Sequence, residues 1–160
     1  MLLRAIPTAH GSKQWYAATC GASFSARPER EGRVVGEVAA RQAIWFQTGN
    51  DDKDPDTGVN VSVQDQDAAE VASGSVPYGG FPDGYTSPAF PLQVIEESTY
   101  DAISDGQMAI TINPNGHYTW IFDAHLRLRF SHHTHIVASA TNVTLTQDHM
   151  TTVVSLASPT

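Results

Sequence analysis

The chain of 160 residues carries a formal net charge of −8, with 17 Asp and Glu against 9 Lys and Arg. This balance disfavours nucleic acid, whose phosphates attract a basic protein face, and electrostatic docking on anionic lipid. The single cysteine, Cys20, excludes an internal disulfide, and no apolar stretch is long enough to predict a membrane-spanning helix.

The N-terminal residues show no clear periodicity. We predict a partly irregular arm over 1–32 and a β-sandwich domain over 33–160. Trp15, Tyr16 and Phe24 are too apolar for a solvated tail, so we expect the arm to pack on the domain or on a neighbouring subunit.

The first seven residues do not form a secretory signal, because Arg4 and Pro7 interrupt a short apolar run. The sequence therefore does not identify the cellular compartment. We favour an extracellular or particle-associated protein that reaches its location without such a signal.

The first predicted strand covers 34–48, with a short helix over 36–42 as the alternative because Ala and Glu favour helix. A second strand follows at Val59, Val61 and Val63, which alternate with polar residues. Alternation with a period of two is typical of a half-buried strand.

An acidic loop connects these two strands and holds Asp51, Asp52, Asp54 and Asp56 within six positions. Carboxylates this close repel one another unless water or a cation screens them. Oxygen ligands of this kind suit a hard divalent cation, and we predict Ca²⁺.

The spacing of Asp52, Asp54 and Asp56 matches the first ligand positions of an EF-hand loop. The glycine then falls one position late, at Gly58, and Val63 replaces the final bidentate glutamate. An EF-hand is therefore excluded, and a calcium site requires a second acidic loop beside the first.

Four acidic residues elsewhere in the chain are candidates for that second loop. They are Asp65, Asp67, Asp83 and Asp148. The predicted calcium ligands are Asp52, Asp54, Asp56 and Asp148.

A long segment rich in Gly and Pro spans 73–91 and carries Tyr78, Phe81 and Tyr85. Long loops without their own secondary structure are often functional, and an exposed aromatic ring can stack on a sugar face. We predict these three residues as ligand-binding, with a self-packed Ω-type loop as the alternative.

Downstream, Phe90, Leu92 and Val94 alternate and predict one further strand, and residues 101–106 predict a turn. The longest strand follows. Its inward face consists of Trp120, Phe122, Ala124, Leu126, Leu128 and Phe130. The chain is thus predicted to be an all-β protein, an antiparallel β-sandwich of about eight strands.

Histidines gather after this strand, at His132, His133 and His135, with His125 shortly before. We predict a hairpin turn at 131–134, which would place His135 opposite Phe130 and pointing inward. A transition-metal site, a pH-sensitive turn and a neutral surface cluster are the open interpretations.

The pattern of Thr-Gly, a polar loop, Thr57 and alternating valines within 48–63 resembles the start of PLAT/LH2-type, C2-like β-sandwich domains. Residues 119–123 and 142–148 resemble the closing half of bacterial PLAT-like modules. The resemblance covers roughly 40–156 and implies a non-catalytic sandwich, often calcium-linked, that binds lipid, protein or glycan. It departs at the histidine turn and has no counterpart for the N-terminal arm.

The chain has no motif of a nucleophile elbow, a zinc protease, a dithiol or a phosphate loop. We therefore predict no enzyme but a non-catalytic binding module for a glycan, lipid head group or protein. One alternative is a structural subunit of a phage or virus particle, secretion device or filament, which would form homo-oligomers or larger assemblies. The other is a small hydrolase that uses His125 with Asp123 and Ser131, or the cluster at 132–135.

Overall fold

A computed structural model describes residues 42–115, 118–131 and 133–157. The predicted arm, and the strand or helix expected before residue 42, lie outside this part of the chain. The described elements are β1 (Ala43–Thr48), β2 (Gly58–Gln64), β3 (Glu70–Val76), β4 (Phe90–Pro91), β5 (Gln93–Val94), α1 (Tyr100–Ser104), β6 (Gln107–Asn113), β7 (Thr119–Arg129), β8 (His135–Thr146) and β9 (Thr151–Ser155).

The strands form two antiparallel sheets, which confirms the predicted all-β sandwich. One sheet has the order β4-β1-β7-β8 and the other β5-β3-β2-β6-β9, so the described part has nine strands. The acidic loop (residues 49–57) joins β1 to β2 and therefore crosses between the sheets. The aromatic loop (residues 77–89) joins β3 to β4. The one helix in the described ranges is too short to cross a membrane.

The core lies between the inward faces of the two sheets, as the alternation in β2 and β7 predicts. All six inward residues predicted for β7 and the end of its strand are buried. The Trp120 ring stacks on Phe122, with centroids 3.9 Å apart, and lies 5.3 Å from the ring of Phe46. This aromatic cluster joins β1 to β7.

The strand predicted through Phe90, Leu92 and Val94 is wrong as a single element. Phe90 pairs with Ile44 in one sheet, whereas Val94 pairs with Ala72 in the other. Leu92 lies between them, fully buried, at the point where the chain crosses between the layers. Its apolar side chain is part of the core. The alternation at 90–94 therefore comes from two short strands, one in each sheet, joined where the chain passes between the sheets.

The turn predicted over 101–106 is instead the short helix α1 followed by a tight turn. Thr99 caps the helix, because its hydroxyl oxygen accepts the backbone N–H of Ala102 at 3.2 Å. Ile103 is buried and attaches the helix to the core. The buried side chain and the cap explain why this segment forms a helical turn.

A β-bulge interrupts the pairing of β7 with β8. Asn142 takes a positive φ of 54°, and its N–H donates to the Asp123 carboxylate at 2.7 Å. The Asp123 carboxylate therefore satisfies the N–H of Asn142, which the bulge leaves without a partner in the neighbouring strand.

The predicted inward orientation of His135 is also wrong. His135 pairs with Arg129 and is exposed, because the connection between β7 and β8 spans residues 130–134. Phe130 N–H donates to the Thr134 carbonyl oxygen at 3.0 Å. A difference of one residue in the length of a hairpin connection shifts the register and reverses the faces of the side chains.

Candidate functional site

The acidic loop and the aromatic loop meet at one end of the sandwich. Lys53 N–H donates to the carbonyl oxygen of Phe81 at 3.0 Å, and Phe81 N–H donates to that of Lys53 at 2.9 Å. Gly79 N–H donates to the Pro55 carbonyl oxygen at 3.0 Å. Two segments that the sequence presents separately thus form one surface. The exposed side chains of the two loops are called the loop-end surface below.

Lys53 lies beneath this surface and is 0% exposed. Its Nζ donates to the carbonyl oxygens of Gly79 at 2.7 Å and Asp54 at 3.1 Å, and lies 5.1 Å from the centroid of the Phe81 ring. Burial lowers the pKa of Lys53, while the carboxylates of Asp54 and Asp56 oppose that shift. The acidic loop therefore contains its own cation, which ties the two loops together.

Tyr118 supports the acidic loop from inside the molecule. Its hydroxyl donates to the Asp52 carbonyl oxygen and accepts the N–H of Asp54, each at 3.2 Å. The Asn115 side-chain amide donates to the Asp56 carboxylate at 3.2 Å. These contacts support the loop backbone from below, while Asp52, Asp54 and Asp56 are exposed at its surface.

Tyr118→Phe is expected to lower the free energy of unfolding by about 1 kcal/mol at pH 7, because it removes both hydroxyl hydrogen bonds. Burial raises the pKa of Tyr118 above its ordinary value of 10.0. The unfolded chain then loses the phenolic proton first, so wild-type stability should fall as the pH rises above 10. Urea unfolding at several pH values tests this. A variant curve that falls in parallel with the wild type above pH 10 would contradict the assignment.

The predicted calcium ligands lie at the same end of the molecule. Asp52, Asp54, Asp56 and Asp148 are all exposed. Asp148 lies in the turn after β8. The N–H of Gln147 in this turn donates to the carbonyl oxygen of Tyr118 at 3.2 Å, next to the acidic loop. Within the described ranges, no group of three or more His, Cys, Asp or Glu residues is arranged to hold a metal ion. Calcium binding stays a prediction.

Two of the second-loop candidates lie elsewhere. Asp65 and Asp67 follow the far end of β2, and seven strand residues span about 23 Å. The Asp65 carboxylate accepts the N–H groups of Asp67 and Ala69 and the hydroxyl of Ser98. It holds the turn into β3. Asp83 is exposed in the aromatic loop and shares the end of the sandwich with the acidic loop.

The three predicted ligand-binding aromatics separate into two groups. Tyr78 is 76% exposed and Tyr85 is 40% exposed, so both rings are available at the loop-end surface. Phe81 is only 6% exposed. Its ring packs on those of Phe90 and Trp120, with centroids about 6 Å apart, and therefore belongs to the core. The aromatic loop is partly self-packed, with Tyr78 as its most exposed ring.

The residues of the hydrolase alternative make other contacts. His125 Nδ1 lies 3.0 Å from the Ser139 hydroxyl oxygen, and its ring stacks on Trp45 with centroids 5.3 Å apart. Asp123 binds the backbone at the bulge, as described above. His125 and Asp123 thus act in separate interactions on the outer face of the four-stranded sheet. His132 lies outside the described residues, which leaves the role of the histidine cluster a prediction.

Lys53 is the site residue that sequence reasoning missed. Its signal in the sequence is a single lysine between two aspartates, Asp52 and Asp54. The structure shows that both aspartates are exposed. An exposed–buried–exposed order is the pattern of an extended segment with one inward side chain. A lysine is rarely buried in full, so the pattern alone does not predict it.

Comparisons with protein families, curated proteins and solved structures gave no match for this chain. The resemblance to PLAT/LH2-type domains stays a prediction based on residue patterns.

Proposed function

We propose that the protein is a non-catalytic binding module that recognises a basic segment of a protein partner through the loop-end surface. The observation that carries this proposal is the exposure of Tyr78 on a loop whose backbone is held in place. The carbonyl oxygen of the neighbouring Gly79 accepts a hydrogen bond from the Lys53 ammonium, and the Gly79 N–H donates one to the carbonyl oxygen of Pro55 in the acidic loop. A rigid, exposed tyrosine contributes contact area with little loss of conformational entropy.

Charge selects a basic partner from the three predicted ligand classes. Asp52, Asp54 and Asp56 are exposed beside the tyrosines. From residue 42 onward the only Lys and Arg residues are Lys53, Arg127 and Arg129, and the first of these is buried. Arginine and lysine side chains pair with carboxylates and lie over aromatic rings. An anionic lipid head group would be repelled, and a neutral glycan has no charge to match these carboxylates.

The test is a selection of displayed peptides on the immobilised full chain, followed by fluorescence polarisation with the selected sequences. Peptides rich in Arg and Lys are expected, with affinity that falls as salt rises. Tyr78→Ser should weaken binding about tenfold, or 1.4 kcal/mol, because it removes the most exposed ring. The control Val137→Ser changes another exposed apolar residue, on β8 and outside the two loops. Selected peptides without basic residues, no selection, or equal binding by Tyr78→Ser would refute the proposal.

Calcium is a separate part of the prediction, because Lys53 already supplies a cation to the acidic loop. If Asp52, Asp54, Asp56 and Asp148 bind Ca²⁺, millimolar Ca²⁺ should raise the melting temperature, and a chelator should reverse the effect. The double variant Asp54→Asn, Asp56→Asn should lose that response. Calorimetry that detects neither heat nor a shift in melting temperature would remove calcium from the proposed function.

The edge strand β8 favours a second candidate function, a subunit of a larger assembly. β8 contains 12 residues and has a partner strand on one side only within the described part of the chain. Unpaired backbone groups on an edge strand can pair with another chain. Light scattering at micromolar concentration should then show an oligomer that Val137→Lys dissociates. A wild-type protein that stays monomeric would contradict this candidate.

A further inference from the structure

A second surface lies on the outer face of the five-stranded sheet, and its lining contains no residue of the two loops. It is a cleft of about 530 Å³ that spans β3, β2 and β6, with the β4–β5 crossing along one side. Two rows of paired residues form its floor. One row is Ser75–Asn60–Thr111, and the other is Gln93–Ser73–Ser62–Ala109.

The floor of this cleft is neutral and hydrogen-bonding. Its side chains are hydroxyls, amides and a methyl group, and no Lys or Arg of the described residues lines it. Glu70 is the one carboxylate in the lining, although the described surface is strongly acidic. This chemistry offers nothing to attract an anion. Among the described residues the lining has no aromatic side chain, and its apolar side chains are those of Val61, which is buried, Pro91 and Ala109.

Several of these polar groups keep free hydrogen-bonding capacity. The Ser75 hydroxyl donates to the Asn60 side-chain oxygen at 2.8 Å, which leaves the Asn60 amide hydrogens directed elsewhere. The side chains of Ser62, Ser73 and Gln93 form no hydrogen bond to another described residue. Donors and acceptors are thus arranged along two strands, at the spacing of the sheet.

We propose that this cleft binds a neutral oligosaccharide lying across β3, β2 and β6. Sugar hydroxyls both donate and accept, as the serines and amides of the floor do. Small side chains allow a sugar ring to approach the sheet closely. The volume falls within the range of roughly 300–1,000 Å³ that is typical of ligand pockets. The lining of this site shares no residue with the loop-end surface, and the proposal does not depend on the function proposed for that surface.

The experiment uses the isotope-labelled full chain and follows its backbone amide signals by NMR. The probes are cellotetraose, maltotetraose, mannotetraose and chitotetraose, each added up to about 10 mM, a range that detects millimolar dissociation constants. At least one probe is expected to shift the amide signals of β2, β3 and β6 around Ser62. Ser62→Ile should weaken this binding about tenfold, because it fills the centre of the cleft and removes a hydroxyl.

Ser139→Ile is the matched control, since it places the same side chain at an exposed position of the other sheet. Isoleucine suits a strand, so both variants should fold. Tyr78→Ser should bind the sugar like the wild type. The proposal is overturned if no probe shifts the cleft signals, if Ser62→Ile binds normally, or if Tyr78→Ser abolishes sugar binding.

Discussion

Lys53→Met is expected to lower the free energy of unfolding by about 3 kcal/mol at pH 7. Methionine keeps most of the apolar stem but has no donor for the carbonyl oxygens of Gly79 and Asp54. It also removes the cation between the acidic carboxylates and the Phe81 ring. Relief of the desolvation cost of a buried ammonium offsets part of this loss. The loss of two hydrogen bonds from a charged donor should outweigh that relief, since each contributes about 1.5–3 kcal/mol.

The pH dependence gives a second readout of the same lysine. Burial holds the pKa of Lys53 below its ordinary value of 10.5 in the folded protein. Between the lowered pKa and 10.5, the unfolded chain binds more protons at this position than the folded chain. The contribution of Lys53 to the free energy of unfolding of the wild type therefore rises with pH across that window. The difference in free energy of unfolding between the wild type and Lys53→Met should widen accordingly.

Chemical denaturation at pH 7 and at several values approaching pH 10.5 measures both effects. Arg127→Met is the matched control, because it removes an exposed cation from β7 and should change stability by less than about 0.5 kcal/mol. Equal stability of Lys53→Met and the wild type would show that the buried ammonium does not hold the loops. A difference that narrows as the pH rises would show instead that folding does not lower the pKa of Lys53.

Gly106→Ala is expected to destabilise the protein by about 3 kcal/mol. Gly106 lies between α1 and β6, directly against the end of β2. A Cβ at this position would overlap the backbone carbonyl oxygen of Gln64 and lie 2.9 Å from Asp65 Cα. These are backbone atoms, so relief requires β6 to move away from β2, which disturbs the pairing of Gln64 with Gln107.

Gly58→Ala provides the comparison for this variant. A Cβ at Gly58 would meet its nearest neighbours at 3.8–3.9 Å, which is ordinary van der Waals contact. It should therefore change stability by less than about 1 kcal/mol. Thermal unfolding of both variants checks the contrast. Similar melting temperatures for the two variants would mean that, in solution, the backbone at Gly106 lies far enough from Gln64 and Asp65 to accept a Cβ.

Most strands were predictable because the alternation of side chains is a local property. The valines of β2 and the apolar residues of β7 each form one face within a few residues of chain. Burying that face against another sheet is the dominant favourable term in folding, so the pattern defines the class of fold. The same reasoning failed at 90–94, where alternation arises from a crossing between layers.

The candidate site was predictable only in its separate parts. The acidic loop and the tyrosines are visible as local runs of residue types. Their meeting depends on a bridge between Lys53 and Phe81, which are distant in the chain. The orientation of each aromatic ring in the loop of residues 77–89 is decided by its neighbours in space. Phe81 finds Phe90 and Trp120 in the core, whereas Tyr78 is left in solvent.

The sequence by itself determined the all-β class, the core face of β7 and the acidic character of the loop after β1. These follow from residue type and from the two-residue period of a strand. Only the tertiary structure decided that the acidic loop encloses Lys53 and joins the aromatic loop. It also decided that serines from separate strands line one cleft. The physical reason is that burial and hydrogen-bond pairing between distant segments depend on how the sheets pack, which no local pattern specifies.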